Sequence, residues 1–125
     1  MLDLKAITPM PTALMRSTAR GPLVSSDRPQ WWYLATLPLS GPVDAPIQIS
    51  VDVRAGVVGI SLIGDDESAL WGEAEAAIGR HTVCLSVAPG DPEPRAVLFR
   101  SCAPDNRPAV LVVEAAHAGP KPGAG

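Results

Sequence analysis

Residues 46–54 read PIQISVDVR, and their apolar and polar side chains alternate without a break. Successive side chains of a β-strand point to opposite faces, so this pattern predicts a strand with one buried face and one solvated face. The buried row consists of Ile47, Ile49, Val51 and Val53, and the solvated row of Gln48, Ser50, Asp52 and Arg54. The rest of the fold is predicted outward from this strand.

A second strand follows directly. Ala55 and Gly56 form a tight-turn signal, and residues 57–63 are an apolar run that is too short for a typical helix and rich in β-branched residues. We expect the two strands to form a hairpin. Further strands are predicted over residues 31–39, 80–87, 97–101 and 109–116, separated by turns rich in proline, glycine and aspartate.

Residues 65–79 fit two interpretations. As a helix, the segment would have the acidic residues 65–67 at its N-terminus and Gly79 at its C-cap. As a strand, it would turn Trp71, Glu73 and Glu75 outward and its small and apolar residues inward, ending with Ile78. We favour the strand, because it continues a sandwich, whereas an isolated helix needs a sheet face to cover.

The composition points to one all-β domain. The 125 residues suffice for one domain, 46% of them are hydrophobic, and the 14 prolines and 11 glycines are too many for a helical bundle. The short, evenly spaced strands predict an antiparallel β-sandwich, jelly-roll-like, with about seven to eight strands. We expect residues 30–117 to form it. Residues 1–29 would be an extended segment that could add an edge strand, and residues 118–125 a Gly/Pro-rich tail or linker.

Charge and hydropathy exclude several partners. A net charge of −3 argues against nucleic acid, which needs a concentrated basic surface. No apolar run approaches the roughly 20 residues that span a bilayer, and residues 1–27 lack the pattern of a secretory leader. We therefore expect a cytoplasmic protein without a membrane span. Exposed edges of short strands would also allow a homodimer through a sheet edge.

Both cysteines are predicted to be free thiols. Cys84 and His81 would leave opposite faces of one strand and cannot share a metal ion. If the strands at 80–87 and 97–101 paired around the proline-rich turn at 89–94, Cys84 would face Phe99 and Cys102 would face His81, which is too far for a disulfide. Two free thiols are typical of a reducing compartment.

The sequence does not point to an enzyme. It contains no nucleophile elbow, phosphate-binding loop, dinucleotide-binding motif or zinc-protease motif. Glu73 and Glu75 would lie about 7 Å apart on one strand face, a separation that carboxylate chemistry on sugars could use, but a solvated acidic face explains them better. The acidic residues 65–67 lack the alternate spacing of a calcium loop. We expect no catalytic residue, no cofactor and no metal.

The aromatic residues suggest a ligand surface. Trp31 and Tyr33 share the longer apolar row with Leu37 and Leu39, which we expect in the core, so that Trp32 faces solvent. Exposed indoles beside carboxylates suit a sugar ring and its hydroxyls. The candidate ligand-binding residues are therefore Trp32, Trp71, Glu73 and Arg100. Two alternatives stay open: the N-terminal segment covers one or both tryptophans, or Arg100 pairs structurally with a carboxylate.

Several motifs together resemble a known kind of region. They are Trp31-x-Tyr33, Val53-Arg54, Gly56-Val57-Val58-Gly59-Ile60, Glu73, Leu98-Phe99-Arg100 and Pro104-Asp105-Asn106. Residues 30–116 are similar to the accessory β-sandwich regions found beside FkbM-type methyltransferases and some bacterial glycosyltransferases, although Ser101 stands where those regions tend to have asparagine. The resemblance implies a non-catalytic module, like a carbohydrate-binding module, that acts with a glycan-modifying enzyme.

Two functions are therefore expected in different classes. The first is a non-catalytic carbohydrate-binding module that binds a glycan weakly and accompanies a methyltransferase or glycosyltransferase domain. The second is a structural or protein-interaction domain that packs on a neighbouring domain and binds no sugar.

Overall fold

The computed structural model describes residues 4–11, 13–26, 32–39, 46–64, 70–86, 94–102 and 107–118. Within them lie a 3-10 helix, Leu4–Ala6, and ten strands. The strands are β1 (Thr8–Pro9), β2 (Leu14–Thr18), β3 (Gly21–Ser26), β4 (Tyr33–Pro38), β5 (Ile47–Ala55), β6 (Val58–Ile63), β7 (Leu70–Ala76), β8 (Gly79–Leu85), β9 (Ala96–Ser101) and β10 (Ala109–Ala118).

The strands form two five-stranded sheets in which every pairing is antiparallel. The front sheet has the order β1-β4-β9-β6-β7, and the back sheet has the order β2-β3-β10-β5-β8. The predicted all-β antiparallel sandwich is confirmed, with ten strands in the described part of the chain instead of seven to eight. Among the described residues, no helix has the length and apolar character needed to cross a membrane.

The core lies between the sheets and follows from the alternation in the sequence. All four apolar residues of β5 that were predicted to be buried are buried, and they belong to the main hydrophobic cluster. From the front sheet, Val58, Ile60 and Leu62 of β6 and Val97 and Phe99 of β9 enter the same cluster. Alternating apolar residues thus supply both inner faces, as a sandwich requires.

The predicted hairpin between β5 and β6 is wrong. β5 lies in the back sheet between β10 and β8, and β6 lies in the front sheet between β9 and β7. Gly56, with φ of 73°, carries the chain across, and a Cβ there would lie 2.7 Å from the Pro108 carbonyl oxygen. A tight turn can join strands of two different sheets as well as two neighbouring strands of one sheet.

The N-terminal segment contributes more than one edge strand. β1 pairs with β4 at one edge of the front sheet, and β2 pairs with β3 in the back sheet. β3 lies inside that sheet, between β2 and β10, and its Val24 is buried in the main cluster. The mixture of prolines and scattered apolar residues before position 27 hid these strands.

The strand interpretation of the 65–79 segment is confirmed for residues 70–76, which form β7, whereas residues 65–69 lie outside the described residues. Ile78, predicted to point inward, is 70% exposed. It lies in the short connection between β7 in the front sheet and β8 in the back sheet, where strand alternation no longer applies.

Candidate functional site

The outer face of the front sheet carries an apolar area and a charged area. Along β9, Val97 and Phe99 belong to the main core, so Ala96, Leu98 and Arg100 turn to the opposite, outer face. Ala96 and Leu98 form a second buried cluster with Ile63 of β6. Arg100 continues this outer row, and the candidate site is built around it.

Arg100 and Glu73 form a bidentate ion pair. Arg100 Nε donates to Glu73 Oε2 at 2.6 Å, and Nη2 donates to Oε1 at 2.7 Å. The arginine and glutamate side chains are 18% and 23% exposed, so water and a ligand can reach them in part. Such paired, charge-assisted hydrogen bonds fix the orientation of both groups. The structure therefore brings together two of the four predicted site residues and confirms that Arg100 pairs with a carboxylate.

Gly59 makes this pair possible. Glu73 is on β7 and Arg100 on β9, and β6 with Gly59 lies between them. A Cβ at position 59 would lie 2.8 Å from Glu73 Oε2 and 2.6 Å from Cys102 Sγ. Because position 59 has no side chain, the carboxylate can extend over β6 and meet the guanidinium.

Tyr33 borders the pair. It is in register with Arg100 and packs against the second cluster, so its predicted place in the core is wrong. An irregularity in the β4–β9 register between Tyr33 and Ala35 explains the difference, because an extra residue reverses the faces that simple alternation assigns. Leu37 and Leu39, predicted in the same row, are buried in the main cluster. Trp31 lies outside the described residues.

Trp32 is exposed, as predicted. Its exposed fraction is 45%, and its backbone carbonyl accepts a hydrogen bond from the Ser101 amide at 2.9 Å. Ser101 follows Arg100, so the Trp32 backbone lies beside the end of the strand that carries Arg100. Trp71 lies in β7, opposite Leu62 in the register, and only its backbone is described. Its outward orientation stays a prediction.

The second acidic residue of the predicted carboxylate pair, Glu75, is exposed and in register with Gly59. Glu73 and Glu75 do not form a pair of free carboxylates, because both oxygens of Glu73 accept hydrogen bonds from Arg100. A carboxylate can accept about four hydrogen bonds, so Glu73 can still accept about two more in addition to those from Arg100. This arrangement suits hydrogen bonding to a hydroxyl-rich ligand better than proton transfer.

The charges of the site affect the neighbouring groups. The hydrogen bonds to Glu73 raise the pKa of Arg100. Burial, together with a smaller contribution from the Glu73 carboxylate, raises the pKa of the Cys102 thiol to about 11. Cys102 is therefore a protonated, weakly reactive thiol at neutral pH.

The predicted strand pairing of the two cysteines is wrong, although both are free. Cys84 is on β8 in the back sheet and exposed, whereas Cys102 directly follows β9 in the front sheet and is buried. The proline-rich segment thus connects two sheets rather than a hairpin. His81 Nε2 lies 2.8 Å from the Ala77 carbonyl oxygen, and within the described parts of the chain no group of His, Cys, Asp and Glu side chains could hold a metal ion.

We expect the two thiols to react differently. In the folded protein at pH 8, a thiol reagent such as Ellman's reagent should modify Cys84 rapidly and Cys102 slowly, and denaturant should make both react. In a Cys84→Ser variant the fast phase should disappear. Rapid reaction of Cys102 in that folded variant would contradict the burial described above.

Because the pKa of Cys102 is raised by folding, ionisation of its thiol favours the unfolded chain, and the free energy of unfolding should fall as pH rises toward 11.

Comparisons with known proteins give a fold and no family. No family model matches the sequence, and no curated protein matches it. Among solved structures, a lysine-to-alanine variant of a family 29 carbohydrate-binding module aligns with a TM-score of 0.66 at 14% identity, covering 91% of this chain and 82% of that chain. Another lysine variant, complexed with cellulohexaose, aligns with a TM-score of 0.66 at 13% identity over 90% of this chain and 80% of that chain.

A further structure, described as a carbohydrate-binding module of family 29, has a TM-score of 0.64 at 13% identity and covers 90% of this chain and 78% of that chain. These neighbours are jelly-roll β-sandwiches, so the predicted jelly-roll-like fold is confirmed. At this level of identity the likeness concerns the fold alone.

Proposed function

We propose that this protein is a non-catalytic carbohydrate-binding module that binds a neutral saccharide on the outer face of its front sheet. The observation that carries the proposal is the bidentate Arg100–Glu73 pair, held on that face beside Tyr33. Sugar recognition combines an aromatic surface for the C–H faces of the ring with fixed polar groups for its hydroxyls. Here Tyr33 supplies an aromatic ring in register with Arg100, and the Arg100–Glu73 pair supplies the fixed polar groups.

The pair is suited to hydroxyl groups. Glu73 keeps acceptor positions for a hydroxyl proton, and the two hydrogen bonds from Arg100 fix the orientation of its carboxylate. Because each partner orients the other, a ligand would meet groups that are already ordered, which lowers the entropic cost of binding. Partial exposure of both side chains leaves them accessible.

The local charge favours a neutral saccharide over an acidic one. Arg100 and Glu73 compensate each other, and the exposed Glu75, which lies in the same row of the sheet as Gly59 and Arg100, adds a negative charge. A uronic acid would therefore meet a carboxylate and an arginine that is already paired, whereas uncharged hydroxyls meet no such repulsion.

The family 29 modules support this proposal by their fold and by what they bind. One of them was solved with cellulohexaose, and ligand recognition in these modules was studied through lysine, arginine and aspartate variants. Those observations concern those proteins. For the present chain, they make an uncharged oligosaccharide the first ligand to test.

The setting of the module is part of the proposal. The resemblance to accessory regions of FkbM-type methyltransferases and bacterial glycosyltransferases supports a role beside a glycan-modifying enzyme. The absence of the common catalytic motifs from the sequence and the engagement of Glu73 by Arg100 support a non-catalytic role. Two free thiols support a reducing compartment such as the cytoplasm.

The test is a titration with cellulohexaose and a panel of neutral oligosaccharides, followed by calorimetry and tryptophan fluorescence. We expect weak binding, and we expect Trp32→Ala and Arg100→Met each to lower the affinity about tenfold or more, as the loss of a central contact does. Thr82→Ala, an exposed substitution on the back sheet, is the matched control and should bind normally. Failure of every saccharide to bind the folded protein would overturn the proposal and favour an interaction role.

A further inference from the structure

The edge strand β2 is an open and apolar edge of the back sheet. The structure describes no strand beyond it, and four of its five residues are exposed. Leu14 is 76% exposed and Met15 41% exposed, and the strand contains neither proline nor a register irregularity. Proteins usually protect sheet edges with charges, prolines or bulges, because unpaired backbone groups recruit another strand. β2 has one charged residue, Arg16, and none of the other protective features, so its unpaired backbone groups can pair with another strand.

The other sheet edges are better protected. β1 has only two residues, one of which is Pro9. β7 has a register irregularity and the acidic residues Glu73 and Glu75. β8, at the far edge of the back sheet, carries the charged Arg80 and its apolar Val83 is only partly exposed. The exposed apolar side chains therefore concentrate on β2.

A groove lies beside this edge, on the outer face of the back sheet. It has a volume of about 330 Å³ and is lined by Leu14, Met15, Arg16, Leu23, Ser25 and Val110. Its floor comes from β3 and β10, and its outer wall comes from β2 itself. A strand added to β2 would therefore find a groove next to it for one apolar side chain.

The same face is positively charged, although the whole chain is acidic. Arg16, Leu23, Val112, Asp52 and Arg80 form one row across all five strands. Elsewhere on this side, Arg54 pairs with Asp52, and Arg20 and Arg80 both pair with Glu114. Two carboxylates thus pair with three arginines, and the fourth, Arg16, makes no ion pair with any residue in the described ranges.

We propose that the β2 edge docks an extended segment of a protein partner, a strand that alternates acidic and apolar residues. Its backbone would pair with β2, one apolar side chain would enter the groove, and an acidic side chain would meet Arg16. Addition of a peptide strand to an open sheet edge is an established way for proteins to recognise extended segments. This docking site is on the opposite sheet from the saccharide site and does not depend on it.

The charge of Arg16 argues for an acidic partner rather than a second copy of this chain. Arg16 is the central residue of Leu14–Thr18, so symmetrical antiparallel pairing of two β2 strands would place the two arginines opposite each other. Like charges directly opposite each other destabilise a strand pair. An acidic side chain at the same position would instead be attracted.

The test uses the full chain and a fluorescein-labelled heptapeptide, Glu-Val-Asp-Val-Glu-Val-Asp, measured by fluorescence anisotropy. Two matched peptides separate the contributions: one has lysine in place of every acidic residue, and one has every backbone amide N-methylated so that neither of its edges can pair as a strand. Arg16→Glu probes the charge at the edge. Arg80→Glu is the control, since it makes the same charge change about 19 Å away at the other edge of the sheet.

We expect the acidic peptide to bind, and the lysine and N-methylated peptides to bind at least about tenfold more weakly. Arg16→Glu should lower the affinity for the acidic peptide by a similar factor, whereas Arg80→Glu should lower it less than about twofold. Equal binding of the acidic and lysine peptides, no binding of the acidic peptide, or equal effects of the two arginine variants would overturn the proposal. So would a stable dimer in sedimentation that Leu14→Lys dissociates, because a second copy would then occupy the edge.

Discussion

Replacing Phe99 with alanine is expected to lower the free energy of unfolding by about 3–5 kcal/mol, the usual cost of truncating a fully buried aromatic side chain. Phe99 is 1% exposed and lies on the inner face of β9, in the middle of the front sheet, where it packs in the main cluster between the two sheets. Urea unfolding followed by circular dichroism measures the change.

Because a loss of this size can unfold a small domain altogether, Phe99→Leu serves as a graded variant and should cost about 1 kcal/mol. Thr82→Ala, at an exposed position of β8, removes only the hydrogen bond between the Thr82 and Ser50 hydroxyls and should change the stability by about 1 kcal/mol or less. If Phe99→Ala cost no more than Thr82→Ala, Phe99 would not lie between two packed sheets, and the sandwich described here would be incorrect.

Gly59→Val is expected to break the Arg100–Glu73 pair while leaving the sandwich folded. The new side chain would occupy the space over β6 where Glu73 Oε2 and Cys102 Sγ now lie, so both must move. We expect a loss of about 1–3 kcal/mol in stability, from crowding and from a partly buried carboxylate that loses its partner. Saccharide affinity should fall about tenfold or more, because the ordered polar groups of the site are gone.

Two further variants separate these effects. Glu73→Gln keeps the shape of the side chain and removes its charge, so it should weaken saccharide binding with a smaller effect on stability. Thr82→Val keeps a β-branched side chain on the back sheet and replaces only the hydroxyl group, so it should leave binding unchanged. Normal saccharide binding by folded Gly59→Val would mean that the Arg100–Glu73 pair is not part of the ligand site.

The strands that sequence periodicity located are those with a regular, half-buried pattern. β5 has the predicted buried row, and β6, β9 and β10 lie where apolar runs indicated strands. Burial on one face leaves a local alternation that a sequence shows directly. β2 and β3 were missed because the exposure of β2 leaves it with no such alternation, and its neighbour Gly21–Ser26 is interrupted by a proline.

The order of strands within the sheets could not be predicted. Each wrong pairing, β5 with β6 and β8 with β9, assumed that strands adjacent in the sequence are adjacent in space. In this sandwich both connections pass from one sheet to the other. A turn sequence specifies how the backbone bends and carries little information about which sheet the next strand joins.

The site was predicted as separate residues and not as an arrangement. Glu73 and Arg100 are 27 positions apart, and they meet only because β6 places a glycine between their strands. In the sequence, Gly59 is part of the motif Gly56-Val57-Val58-Gly59-Ile60, and nothing local marks it as the position that Glu73 crosses. The role of Tyr33 depended on a register irregularity that changes faces, and no local pattern in Trp31-Trp32-Tyr33 marks it.

A titration of the isotope-labelled protein with cellulohexaose, followed by amide chemical shifts, tests the proposed function most directly. If the saccharide binds as proposed, the shifts change at Trp32, Tyr33, Glu73 and Arg100 and stay constant on the outer face of the back sheet. Unchanged shifts at saturating saccharide, or changes centred on Arg16 and Val110 instead, would contradict a saccharide site on the front sheet.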